Sequence, residues 1–179
     1  MTTVLGNVTH TPEGFTLAFD RVLATDIDDA WSAVTDPERI ARWMETYVGD
    51  LRLGGTWQVY GSSGNLYCTG TISECTPPHG FVTSWNVVGD QPTTLRISLE
   101  AVPDGTRLRL QHEGLQEERY GAGWQTYLEQ LDDLVGAAPS SVTDPDRTPG
   151  MDWDERHAQL VAPWADRFAA SKTRENRPA

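Results

Sequence analysis

The chain has 179 residues and a formal net charge of −12 at pH 7. This length is enough for one sizeable core but short for two. Its acidity excludes the clustered cations that bind nucleic acid or an anionic membrane, so we expect neither as a partner. Lys172, in the polar C-terminal tail, is the only lysine, which excludes a core lysine that forms a Schiff base or holds a phosphate.

Cysteine usage and the N-terminal sequence point to a simple soluble protein. Cys68 and Cys75 are seven positions apart, so on one strand they would point to opposite faces, and we predict free thiols. The N-terminus carries no charged segment followed by an apolar one, and no apolar run approaches the roughly 18 residues of a membrane span. A cytoplasmic location is expected.

The first part of the chain predicts a strand and two short helices after a polar leader. Residues 1–14 are turn-rich, and we predict that they pack loosely or not at all. A period-two pattern follows, and it predicts a strand whose inner face carries Phe15, Leu17, Phe19, Arg21 and Leu23. Asp36 followed by Pro37 is typical of a helix start, and we expect helices near residues 26–34 and 37–44.

The remaining chain predicts hairpins, a long helix and a tail. Glycine and proline turns separate short segments near 57–60, 66–74, 81–87, 95–101 and 108–112, which indicates antiparallel strands. Apolar side chains at spacings of three and four predict a long helix within 123–138. Residues 139–150 have a linker composition, and a short helix is expected near 152–171. We therefore predict a domain at 15–138 and a linker with a tail at 139–179.

Several stretches between about residues 15 and 135 carry a family resemblance. They are 21–23, 30–33, 35–43, 54–57, 77–78, 105–108, 112–115 and 123–131. In order and spacing the chain resembles the helix-grip fold of the START/SRPBCC superfamily, and within it the family of activator-of-Hsp90-ATPase homologues. The resemblance implies an α+β fold in which a curved antiparallel sheet of about seven strands wraps around the long helix. It also implies an internal cavity for a ligand.

His112 and Arg21 are the polar candidates for a site in that cavity. His112 is in phase with Leu108 and Leu110, so its imidazole should face the space under the long helix and either bind a ligand carbonyl or act as a general base, with Tyr127 as a second catalytic candidate. The alternative is a buried histidine satisfied by a backbone carbonyl or by Tyr127. Arg21 anchors a ligand carboxylate, pairs with a glutamate (Glu45 or Glu113), or extends its charged end into solvent at the sheet edge.

Aromatic side chains supply the rest of the predicted site, since the chain has seven tryptophans. These rings either line a cavity or fill the core. The predicted ligand-binding set is Arg21, Trp43, Trp57, Tyr67, Trp85, His112, Trp124, Tyr127, Leu128 and Leu131. The histidines and cysteines have no metal-ligand spacing, so we predict no metal and no cofactor.

Three functions remain open. The favoured one is binding of a small hydrophobic or aromatic molecule, polyketide-like or lipid-like, for carriage, sequestration or self-resistance. The second is a cofactor-free cyclase, dehydratase or hydrolase that uses His112 as acid or base, as the aromatase and cyclase branches of the superfamily imply. The third is a co-chaperone or other protein-interaction module. The expected partner is thus a small molecule or a protein, and the chain is a monomer or a homodimer.

Overall fold

The computed structural model describes residues 2–175, with eight strands and four helices. They are β1 (Gly6–Thr11), β2 (Gly14–Leu23), α1 (Ile27–Thr35), α2 (Pro37–Ile40), β3 (Thr46–Gly49), β4 (Thr56–Tyr60), β5 (Leu66–Thr76), β6 (Gly80–Val87), β7 (Thr93–Val102), β8 (Gly105–Leu115), α3 (Arg119–Val135) and α4 (Trp153–Glu175). The strands form one antiparallel sheet in the order β1-β2-β8-β7-β6-β5-β4-β3. The predicted α+β architecture, with an antiparallel sheet, two short helices and a long helix, is confirmed.

Residues 1–14 are not the loosely packed leader that their composition predicts. Strand β1 pairs with β2 over its whole length, from Gly6 opposite Phe19 to Thr11 opposite Gly14. It is polar because it is an edge strand in which only alternate residues are covered, and helix α4 supplies part of the cover. His10 is hydrogen-bonded to Ser171 of that helix at 2.7 Å. The sheet consequently has eight strands instead of about seven.

The core lies between the inner face of the sheet and helices α1, α3 and α4. The alternating face of β2 that was predicted to be apolar is buried, from Phe15 to Leu23. Helix α3 contributes the buried side chains of Trp124, Leu128 and Leu131. The start of α2 is also as predicted, since the Asp36 carboxylate accepts from the backbone N–H of Glu38 at 2.9 Å.

Helix α4 belongs to this core and is longer than the short helix predicted. Leu160, Trp164 and Phe168 recur every four residues and are buried. The Phe168 ring packs on Phe15 at 4.8 Å between centroids, and the Trp164 ring packs on Phe19 at 5.6 Å. Burial of each such side chain is worth about 1.5–3 kcal/mol, so α4 contributes substantially to folding.

Gly121 marks the closest approach of α3 to α4. A Cβ atom at this position would lie 2.4 Å from Cε3 of Trp164. We expect Gly121→Ala to lower the free energy of unfolding by roughly 1–3 kcal/mol, because the buried indole must shift. Urea unfolding measures the change.

Gly123 provides the matched control on the same helix. A Cβ atom there meets no other heavy atom within 4 Å, so Gly123→Ala should raise stability by about 0.5–1 kcal/mol through helix propensity alone. Equal effects of the two substitutions would contradict the packing of Trp164 on Gly121.

Candidate functional site

An open cavity of about 360 Å³ lies between the sheet, helix α3 and helix α4. Strands β4, β5 and β6 supply Val59, Tyr67 and Trp85, and α4 supplies Trp153 and His157. Helix α3 supplies Arg119, Tyr120, Gly123, Trp124 and Tyr127. The loops that follow α2 and β4 complete the wall with Met44, Glu45, Gly61 and Ser62.

Aromatic rings run continuously from the sheet across α3 to α4. The ring of Trp85 lies 5.4 Å from that of Trp124, which is 6.4 Å from Tyr127. Tyr127 is in turn 5.5 Å from Trp153, and the His157 imidazole stacks on Trp153 at 4.6 Å and 10°. Rings so arranged present both faces and edges to a bound molecule.

Four of the predicted ligand-binding residues line this cavity: Tyr67, Trp85, Trp124 and Tyr127. The structure places the other aromatic and aliphatic candidates in the core instead. The indole N–H of Trp43 donates to the Ala33 carbonyl at 2.9 Å, and that of Trp57 donates to the Thr83 hydroxyl at 2.7 Å. Leu128 and Leu131 lie on the buried face of α3 and do not line the cavity. Cores and cavities have similar linings, so residue type alone could not separate the two groups.

His112 faces inward as predicted, but it is sealed behind the cavity wall. It is fully buried, and the indole N–H of Trp124 donates to its Nδ1 at 2.9 Å. Its Nε2 lies 2.7 Å from the hydroxyl of Thr93, which itself donates to the Trp85 carbonyl at 3.0 Å. These bonds assign the imidazole proton to Nε2. Burial lowers the pKa of His112 to about 3, so the ring is neutral and neither nitrogen is free for a substrate.

Arg21 is also inward-facing, and its partners differ from all those expected. The buried guanidinium donates to the carboxylate of Asp132 on α3 and to the backbone carbonyl of Val142. It therefore ties β2 to α3 and to the segment after α3, and it does not line the aromatic cavity. Neither Glu45 nor Glu113 is its partner, because the register of β2 places the guanidinium under α3.

Tyr127 is on the wall, where its hydroxyl donates to Oε1 of Glu45 at 3.0 Å. Burial and the nearby Glu45 carboxylate raise the pKa of Tyr127 far above its ordinary value. The phenol is consequently a fixed hydrogen-bond donor, because a group with so high a pKa is poorly matched to proton transfer at neutral pH.

Six polar or aromatic wall residues were absent from the predicted set: Glu45, Ser62, Arg119, Tyr120, Trp153 and His157. Arg119 donates to Asp90, pairs with Glu117 at 3.2 Å and lies over the Tyr120 ring at 5.2 Å. Trp153 and His157 fall in the predicted tail. Their spacing of four, in phase with Leu160 and Trp164, was the available signal for a helix with one inward face.

The described part of the chain offers neither a membrane-spanning helix nor a metal-binding cluster. Within residues 2–175 no helix is both long and apolar enough to span a membrane. The same residues include no cluster of three histidine, cysteine or acidic side chains that could hold a metal ion. Cys68 and Cys75 are free thiols as predicted, and burial raises the pKa of Cys68 to about 12, which keeps that thiol unreactive.

Residues 24–136 match the family model described as Activator of Hsp90 ATPase homolog 1-like protein. The chain belongs to this family. The family membership and the helix-grip fold inferred from the sequence are therefore confirmed. No curated protein matches the chain.

Solved structures share the fold to different extents. The crystal structure of CalU16 from Micromonospora echinospora is 26% identical, covers 93% of this chain and 97% of its own, and superposes with a TM-score of 0.67. PFC0360w, an Hsp90 activator from Plasmodium falciparum, is 22% identical over 68% of this chain and 96% of its own, with a TM-score of 0.59. DynU16, described as a putative protein in the dynemicin biosynthetic locus, is 20% identical over 65% of this chain and 45% of its own, with a TM-score of 0.59.

The buried neutral state of His112 predicts a pH dependence of folding. The pKa of His112 falls from 6.5 to about 3 in the folded chain, so the unfolded chain takes up the proton first as the pH drops. The stability that the neutral ring contributes is complete above about pH 6.5 and is lost as the pH falls toward 3. Between about pH 6.5 and 4.5 the free energy of unfolding should fall more steeply for the wild type than for His112→Gln.

His79→Gln is the control, because it removes an exposed histidine and should keep the wild-type slope in urea unfolding. In the wild type, ¹⁵N NMR should show the proton on Nε2 of His112 throughout this range. Parallel stability curves for the wild type and His112→Gln, or a ring that titrates near its ordinary pKa, would contradict the assigned hydrogen bonds.

Proposed function

We propose that this protein binds a small aromatic or apolar molecule in the cavity between the sheet, α3 and α4. The carrying observation is the continuous aromatic wall from Trp85 through Trp124 and Tyr127 to Trp153. The volume of the cavity, about 360 Å³, falls within the range of about 300–1,000 Å³ that is typical of small-molecule sites. A flat ligand would gain most, because it can stack on several rings at once.

The disposition of polar groups favours binding over catalysis. His112 has both nitrogens occupied and lies outside the wall. The Tyr127 hydroxyl is committed to Glu45. A cyclase or hydrolase needs an acid and a base that reach the reacting atoms, and neither of the residues predicted for these roles fits. Carriage, sequestration or self-resistance needs only the cavity.

The chemical class of the ligand is supported by one structural neighbour. DynU16 shares the fold and is described as a putative protein in a biosynthetic locus. A polyketide-like product of comparable size would suit an aromatic cavity of this kind.

Native mass spectrometry of the protein from its own host tests the class directly, because a stoichiometric small molecule supports the proposal. A bound protein chain with no small molecule would favour the co-chaperone role suggested by the family and by PFC0360w.

Gly123 offers a way to close the cavity without damaging the fold. It lines the cavity, and a Cβ atom there would enter open space. We expect Gly123→Leu to weaken binding of the neutral fluorescent probe N-phenyl-1-naphthylamine at least about tenfold, because the new side chain occupies the volume that the ligand needs. Fluorescence titration measures the dissociation constant.

Gly123→Ala is the matched control, since it changes the same helix position but adds only one methyl group. It should bind the probe nearly as the wild type does, and both variants should unfold at the wild-type temperature or above it. Unaltered probe binding by Gly123→Leu would place the ligand elsewhere on the protein.

A further inference from the structure

We infer that the bound molecule carries a positively charged amine and that Glu45 is the residue that pairs with it. This inference rests on the proposed binding function and names the ligand class for the same cavity. The observation behind it is that the Glu45 carboxylate on the cavity wall has no cationic partner among residues 2–175.

Glu45 is a half-buried carboxylate whose charge is not balanced. Its Oε1 accepts from the Tyr127 hydroxyl at 3.0 Å, and no cationic side chain among residues 2–175 lies within ion-pair distance of either oxygen. A charge partly withdrawn from water is unfavourable unless it is paired or hydrogen-bonded. One neutral donor satisfies one oxygen only, so the second is available to a cation in the cavity.

The other ionisable groups of the wall do not supply that cation. Arg119 is committed to Asp90 and Glu117, two carboxylates for one guanidinium. Burial lowers the pKa of His157, which lies stacked on Trp153, so its ring is neutral at pH 7. The tyrosines of the wall are neutral as well, since burial raises the pKa of Tyr67, Tyr120 and Tyr127. Glu45 is therefore the charged wall group that lacks an ion-pair partner among residues 2–175, and a carboxylate ligand beside it would be repelled.

The rings nearest to Glu45 reinforce the preference for a cation. Tyr127 bonds Glu45 through its hydroxyl, and its ring lies beside those of Trp153 and Trp124. The face of an aromatic ring attracts a cation within about 6 Å, and indole is the most effective ring. An ammonium group paired with Glu45 would thus lie in a cavity whose wall also carries these rings, while the apolar body of the ligand stacks along the remaining wall.

Two probes of nearly equal shape isolate this charge effect. 1-Naphthylmethylamine is a cation at neutral pH, and 1-naphthylmethanol is neutral. We expect the amine to bind the wild type about tenfold more tightly than the alcohol, which corresponds to about 1.4 kcal/mol. Isothermal titration calorimetry gives both dissociation constants. In Glu45→Gln, which keeps an acceptor for Tyr127 but loses the charge, the ratio of the two constants should fall to about one.

Glu155→Gln is the control for charge alone, because Glu155 is an exposed carboxylate of α4 that does not line the cavity. This variant should keep the tenfold ratio. A ratio near one in the wild type, with both probes still excluded by Gly123→Leu, would overturn the amine inference and leave the binding function standing. A ratio retained in Glu45→Gln would overturn the role of Glu45. Failure of both probes to bind the wild type would overturn the binding function and the inference together.

Discussion

The buried guanidinium of Arg156 fixes where helix α4 lies, and the cavity depends on that placement. Arg156 donates to both carboxylate oxygens of Glu129 on α3, at 2.7 and 2.8 Å, and to Asp144 at 2.7 Å. All three side chains are almost completely buried. Removal of the cation would take the ion-pair partner from Asp144 and leave Glu129 only the longer ion-pair contact with Arg147, at 3.3 Å, which is unfavourable in a region of low dielectric. Because Trp153 and His157 lie within one turn of Arg156, this contact sets the register that brings both to the cavity.

Apolar packing supplies the driving force for docking α4, and the charged network supplies its position. Leu160, Trp164 and Phe168 are all buried. Burial of each of these side chains stabilises the fold by about 1.5–3 kcal/mol. A buried ion network contributes little net stability, because desolvation offsets the attraction. Apolar surfaces can shift along each other without losing their contact, whereas the hydrogen bonds of Arg156 to Glu129 and Asp144 form in one position of α4 only. The Gln125 side chain extends the network by donating to Glu129 and accepting from the indole of Trp164, both at 2.9 Å.

Periodicity in the sequence was sufficient to predict which way His112 and Arg21 point, but it could not predict what they touch. Alternation is a local property, and it placed both side chains on the inner face of the sheet correctly. Their partners come from elsewhere in the chain: Trp124 and Thr93 for His112, and Asp132 and Val142 for Arg21. Strand β1 was not predicted from the sequence, and the reason is related. An edge strand covered by a distant helix needs few apolar residues of its own, so its composition resembles that of a loop.

The cavity is built from two parts of the chain, and the family match covers only one of them. The family match covers residues 24–136, which include the wall residues of the sheet and α3 but exclude Trp153 and His157. The match to the Plasmodium falciparum Hsp90 activator covers 96% of that solved chain and only 68% of this one, so about a third of this chain has no counterpart in that structure. CalU16 matches over 93%, well beyond the family segment. The rings that close the cavity thus lie on an addition to the family domain, and a ligand that contacts Trp153 would distinguish this chain from relatives that have the family domain alone.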